Sequence, residues 1–127
     1  MCLALNIYHE ARHLPPAEQV AVGHVVLNRV DHPRFPGSAC EVVKEGGYSR
    51  RHQCQFSWYC DGKSDRPYEK GAWETAKASA ARVIASEDPT GGALFYRATW
   101  LPERGWWTTL DRTHQDLGHV YYTKRGW

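Results

Sequence analysis

The chain has 127 residues, a formal net charge of +2, and 42% hydrophobic against 24% charged residues, a balance that fits one folded domain with one core and excludes a disordered chain. Its Lys and Arg are scattered among acidic residues, so the basic stripe that nucleic acid requires is missing and no such partner is expected. No apolar run approaches bilayer length, which argues against stable membrane insertion.

The opening stretch predicts an amphipathic helix in which Leu3, Ile7 and Leu14 recur at spacings of four and seven. Glu10 falls on that same inward face. A carboxyl group there favours its neutral form, which prepares it to donate a proton near neutral pH. The plain alternative is a surface glutamate paired with Arg12 or His13. Pro15-Pro16 should stop this helix at Leu14, with Pro16 in the first turn of a second helix running to Val30. That second helix is apolar almost all round and should pack on several sides.

Ser38 suits the cap of a short helix over Ala39–Val43, closed by Gly46-Gly47. Gln55–Tyr59 alternates polar and aromatic residues, and predicts an extended stretch with Gln55, Ser57 and Tyr59 on one side and Phe56 and Trp58 on the other. It enters a turn at Asp61-Gly62. Pro67 should open the longest helix, capped by Ser64 or Asp65, with Trp73, Ala76, Ala80, Val83, Ile84 and Glu87 along one side. Two short aromatic strands are expected at Ala93–Tyr96 and His119–Thr123, joined by an irregular Trp-rich segment. The whole chain, 1–127, reads as a single domain, α+β and mainly α.

The chain holds six tryptophans, whose flat apolar faces suit either a core or a groove for ring-shaped ligands such as sugars. Cys2, Cys40, Cys54 and Cys60 lack the paired spacing of a zinc ribbon, and disulfides between them are allowed without being required. His9-Glu10-Ala11-Arg12-His13 satisfies H-E-x-x-H, so a zinc metalloprotease in which Glu10 activates water is the rival chemistry. The longer metzincin pattern fails, because Pro16 and Gln19 stand where glycine and histidine are needed. No metal or cofactor is therefore expected.

Cys2-Leu3-Ala4-Leu5-Asn6-Ile7-Tyr8-His9-Glu10-Ala11-Arg12, Gln19–Val22, Val26-Leu27-Asn28-Arg29-Val30, Phe35-Pro36, Cys40–Val43, Gln55-Phe56-Ser57-Trp58 and Asp61-Gly62 together resemble the bacterial spore cortex-lytic enzyme and cell-wall hydrolase family. The resemblance is specific through the first half and extends more loosely through Gly92–Tyr96 and Gly118–Tyr122. It implies a lysozyme-like helical domain with a small antiparallel β element. The implied activity is cleavage of the peptidoglycan glycan strand at the MurNAc-GlcNAc β-1,4 bond, in several members as a lytic transglycosylase, and the family's catalytic glutamate matches Glu10. Two departures stand out: His13 replaces the usual glycine after Glu-Ala-Arg, and Tyr96-Arg97-Ala98 replaces Tyr-His-Ala.

Under that reading Glu10 is the acid, and the sugar's own 6-hydroxyl replaces a second carboxylate. Gln55, Ser57, Tyr59 and Tyr121 are candidates for orienting the substrate, and Trp58, Tyr96 and Trp100 for stacking on sugar rings. Asp61 is the candidate second carboxylate if the reaction is hydrolysis. The expected partner is the glycan strand and the expected state a monomer. With no export signal in the chain, the expected setting is the bacterial wall, reached as a phage endolysin or as an excised catalytic domain.

Overall fold

The structure is a computed structural model that describes residues 1–45, 56–60 and 64–127, apart from the side chains of Ser57 and Cys60. Gln55, Asp61 and the expected Gly46-Gly47 stop lie outside the described residues. Helices α1 (Cys2–Ala11), α2 (Pro16–Val30), α3 (Ala39–Val43) and α4 (Lys70–Ala85) precede strands β1 (Phe95–Ala98), β2 (Asp111–Gln115) and β3 (His119–Thr123). The α+β, mainly α architecture is the one the chain resembled.

Helix α2 is the hub, packed against α1, α3 and α4, as its nearly all-round apolar sequence requires. Gly23 makes the closest approach possible: a Cβ placed there would lie 2.5 Å from Val83 Cγ2 and 3.2 Å from Ile7 Cδ1. The start of α2 follows the expected logic, with Pro16 in its first turn. Ser38 caps α3 by accepting the backbone N–H of Glu41 at 3.2 Å. A disulfide joins Cys2 at the start of α1 to Cys40 in α3.

The antiparallel sheet has the order β1-β3-β2. Alternation along the strands sorts side chains to two faces. Tyr121 and Tyr96 pack towards Ala21 and Val25 of α2, whereas Phe95, Val120 and Tyr122 join Leu110, Trp107 and Phe35 on the other side. Strand β2 escaped the sequence reading because Asp-Arg-Thr-His-Gln is almost wholly polar, as an edge strand with one solvated side permits.

Other boundaries differ from expectation for identifiable reasons. Helix α1 ends at Ala11, so Leu14 lies beyond it. Helix α4 begins only at Lys70 rather than at Pro67. The backbone N–H of Glu69 donates to the Tyr8 hydroxyl at 3.1 Å and its carboxylate pairs with Arg12 at 3.1 Å, which fixes the approach to the helix from outside. Ile84, 76% exposed, and the exposed Glu87 do not join the buried side of α4. Finally, Ser57–Cys60 is a 3-10 turn, not an extended stretch, and Phe56 and Trp58 are buried in the helical core.

Candidate active site

Glu10 occupies the last turn of α1, where the helix's unpaired carbonyls concentrate partial negative charge and disfavour a carboxylate. That end is held from α2: Gln19 Nε2 donates to the carbonyls of Ala11 and Leu14, each at 3.3 Å, and Gln19 Oε1 accepts the Ser79 hydroxyl at 2.7 Å. One side chain thus ties α1, α2 and α4 together beside Glu10. The residue is partly exposed, but its carboxyl group is largely desolvated, and burial raises its pKa. Tyr96 from β1 donates its hydroxyl to Glu10 Oε1 at 3.1 Å, and this bond together with the more distant Arg29 opposes the rise. The expected inward acid is present for a different reason from the one the spacing suggested. Leu14 lies off the helix, and β1 and Tyr96 cover the carboxyl group instead.

Glu10 stands where two open clefts meet. One, of about 470 Å³, is lined by Arg29, Phe35, Glu45, Tyr96, Trp106 and Trp127, among others. The second, of about 600 Å³, runs past His9, His13, Trp100, Leu117 and His119. A polymer laid across both would present an internal bond to the glutamate, which is the geometry an enzyme cutting within a chain requires.

Tyr96 and Trp100 are in the clefts, Trp100 80% exposed with its ring available. Trp58 is not available: it is 7% exposed, stacks on His9 at 4.5 Å between ring centroids, and donates its indole N–H to Asn6 at 2.8 Å. It supports α1 from behind. Tyr59 is half-buried beside Trp58, and Tyr121 is fully buried, its hydroxyl donating to Asp116 at 3.1 Å beneath Tyr96. Neither lines the two clefts at Glu10; Tyr59 lines a separate pocket of about 240 Å³ with Trp58, Cys2 and Leu5. Ser57 and its neighbours Gln55 and Asp61 fall where side chains are not described.

The rival zinc arrangement is not formed. His9 lies on α1 and donates through Nε2 to the Asp65 carbonyl at 2.9 Å, while His13 lies past the helix end and is exposed. The one-turn spacing that H-E-x-x-H depends on requires a continuous helix through both histidines.

Arg29, Glu45, Trp106, Trp127 and His119 were absent from the sequence-derived site. Arg29 and His119 each lay in a stretch that carries the resemblance, Val26–Val30 and Gly118–Tyr122, and Trp106 and Trp127 were among the tryptophans suited to a groove, whereas Glu45 carried no signal. Asn28 donates to Asp88 and to the Ala93 carbonyl, and Arg29 Nε donates to the Leu94 carbonyl at 2.7 Å, so the pair anchors the approach to β1. His119 is buried on the second cleft, its Nδ1 has no hydrogen-bond partner among the described residues, and burial lowers its pKa. Arg97, which stands in place of histidine, has its partners away from Glu10. It points to the opposite sheet face, where it donates to the Tyr122 hydroxyl at 3.1 Å and pairs with Glu103 at 3.6 Å.

Comparison with known proteins agrees with this architecture. The chain is 32% identical over 119 residues to a spore cortex-lytic enzyme of Halalkalibacterium halodurans, covering 94% of this chain and 33% of that protein. It is 34% identical over 94 residues to the spore cortex-lytic enzyme of Bacillus subtilis, covering 74% of this chain and 27% of that protein. It therefore spans about a third or less of these curated relatives. The catalytic domain of the germination-specific lytic transglycosylase SleB from Bacillus anthracis superposes with a TM-score of 0.75 at 30% identity, over 96% of this chain and 91% of that one. The catalytic domain of the Bacillus cereus SleB protein gives 0.69 at 27%, over 95% and 86%. Residues 15–122, beginning just after Glu10, match the Cell Wall Hydrolase family, and the chain belongs to that family.

Proposed function

We propose that this chain cleaves the glycan strand of peptidoglycan between MurNAc and GlcNAc as a lytic transglycosylase, with Glu10 as both acid and base. The observation that carries the reading is a desolvated carboxyl group, held by Tyr96, at the junction of two clefts. Protonated Glu10 gives its proton to the glycosidic oxygen as the bond from C1 of MurNAc breaks. The 6-hydroxyl of the same MurNAc then attacks C1, and the Glu10 carboxylate takes the hydroxyl proton, which leaves a 1,6-anhydro end and a restored acid. No water is consumed. Trp100 offers a ring for stacking on a sugar, and Tyr96 orients the acid.

Glu10 and the Tyr96 that holds it come from the same chain, so the reading calls for no partner copy and fits a monomer. The setting that fits is the bacterial wall, reached as a phage endolysin or as the catalytic part of a larger enzyme; the Cys2–Cys40 disulfide suits an oxidising compartment. No described helix is long and apolar enough to cross a membrane. The test is mass analysis of peptidoglycan digested by the wild type and by Glu10→Gln. Anhydro ends from the wild type and loss of cleavage in a folded Glu10→Gln protein are expected. Reducing ends, heavier by one water, would overturn the transglycosylase step.

A further inference from the structure

A buried cation without a close carboxylate is expensive, because it gives up its hydration for little in return. Arg29 is such a cation. It is 5% exposed, and its guanidinium lies over the rings of Phe35, Phe56 and Phe95 at 5.0, 5.1 and 5.4 Å. Its Nε is used by Leu94, while Nη1 is buried with no hydrogen-bond partner among the described residues. Across the same cleft is a second unsatisfied group, the buried Oε1 of Glu45. Glu10 lines that cleft as well. One boxed-in guanidinium therefore faces two carboxyl groups and closes fully onto neither.

We propose that Arg29 is a positioning residue for Glu10, supplying the positive charge that holds its carboxylate form between the two proton transfers, and that Glu45 competes for that charge. The proposal rests on the reading of Glu10 as the acid and base of the reaction. Glu10 must lose a proton, persist as a carboxylate in a desolvated place, and then take a proton back. A fixed cation on the same cleft stabilises the intermediate charge without sealing it in an ion pair, which would remove the basicity needed for the second transfer. The three aromatic faces keep the guanidinium from swinging to either carboxyl group. Burial raises the pKa of both Glu10 and Glu45, and Arg29 works against the rise in each.

Among the described residues, the other charged or titratable groups around Glu10 are His9 on α1, Arg12 and His13 just past its end, Arg34 beyond α2 on the cleft shared with Arg29 and Glu45, Tyr96 from β1, His119 from β3, and Glu69 at the start of α4, which is occupied by Arg12. Burial lowers the pKa of His119 and raises that of Tyr96. Each shift favours the neutral form of its group.

The test is the pH profile of kcat/KM on solubilised peptidoglycan for wild type, Glu45→Gln, Arg29→Met and Arg29→Lys, with thermal melting as a check of folding. Glu45→Gln removes the competitor and should move the alkaline limb to lower pH. Arg29→Met fills the ring box with an apolar chain and should move it to higher pH, with kcat down on the order of tenfold and KM within about twofold. Arg29→Lys should recover part of both. A folded Glu45→Gln enzyme whose limb stays in place or rises overturns the proposal, and this variant decides alone if Arg29→Met does not fold. A folded Arg29→Met enzyme with an unmoved limb overturns it too. A wild type that cuts no glycan would instead remove the proposed function on which the inference stands.

Discussion

Tyr96 and Glu10 are 86 positions apart in the chain, yet the phenol hydroxyl of one lies 3.1 Å from the carboxyl oxygen of the other. Because the hydroxyl donates, it favours the ionised form of Glu10. Burial keeps the phenol protonated and available to do so. Tyr96→Phe should therefore raise the Glu10 pKa further and carry the alkaline limb of activity to higher pH. It should also lower kcat about tenfold, since the carboxylate formed midway loses a donor. A pH–rate profile with separate kcat and KM checks both, and an unshifted limb would refute the role given to Tyr96.

The same burial has a signature in stability. A carboxyl group whose pKa is raised on folding contributes stability that is present below its unfolded pKa and is lost as pH rises through the folded value. Glu10→Gln removes that loss. Its melting temperature should match the wild type near pH 4 and exceed it by a growing margin towards pH 8, by calorimetry at matched salt. A constant difference across that range would mean that the Glu10 carboxyl is not desolvated.

The Cys2–Cys40 bridge closes a loop with a sequence separation of 38. Loop-closure entropy gives such a link about 3–4 kcal/mol of stabilisation. Cys2→Ser with Cys40→Ser should lower denaturant stability by that order, and activity at low temperature should survive because Glu10 sits at the far end of α1. Equal stability with and without reductant in the wild type would contradict this.

Gly-to-Ala changes inside helices are usually favourable by about 1 kcal/mol. At Gly23 the sign should reverse, since the added methyl would meet Val83 and Ile7 at 2.5 and 3.2 Å. A loss of about 1–3 kcal/mol is expected, measured by urea unfolding. A stabilised Gly23→Ala protein would show that α1, α2 and α4 do not pack as described.

What could be read from the chain was local. The proline start of α2 and the Ser38 cap depend on neighbours within a few positions and appear as expected. Glu10 was singled out correctly as a buried acid, although the burial comes from β1 and not from Leu14. Arg29 and Glu45 were missed because what distinguishes them, unsatisfied buried atoms on a shared cleft, exists only after distant elements pack. Trp58 misled for the complementary reason. Its composition suits a sugar platform, but His9 and Asn6 already occupy its face and its N–H.

Gln19 carries a constraint of heredity. Its amide serves as donor to the end of α1 and as acceptor for Ser79 on α4, and no other side chain of that length does both in one orientation. Glutamate would strand the carbonyls of Ala11 and Leu14, and leucine would strand the Ser79 hydroxyl as well. A compensating change at position 79 could relieve only the second of these losses, so position 19 is tied to the end of α1 as well as to α4, and a residue outside both clefts constrains the turn that carries Glu10.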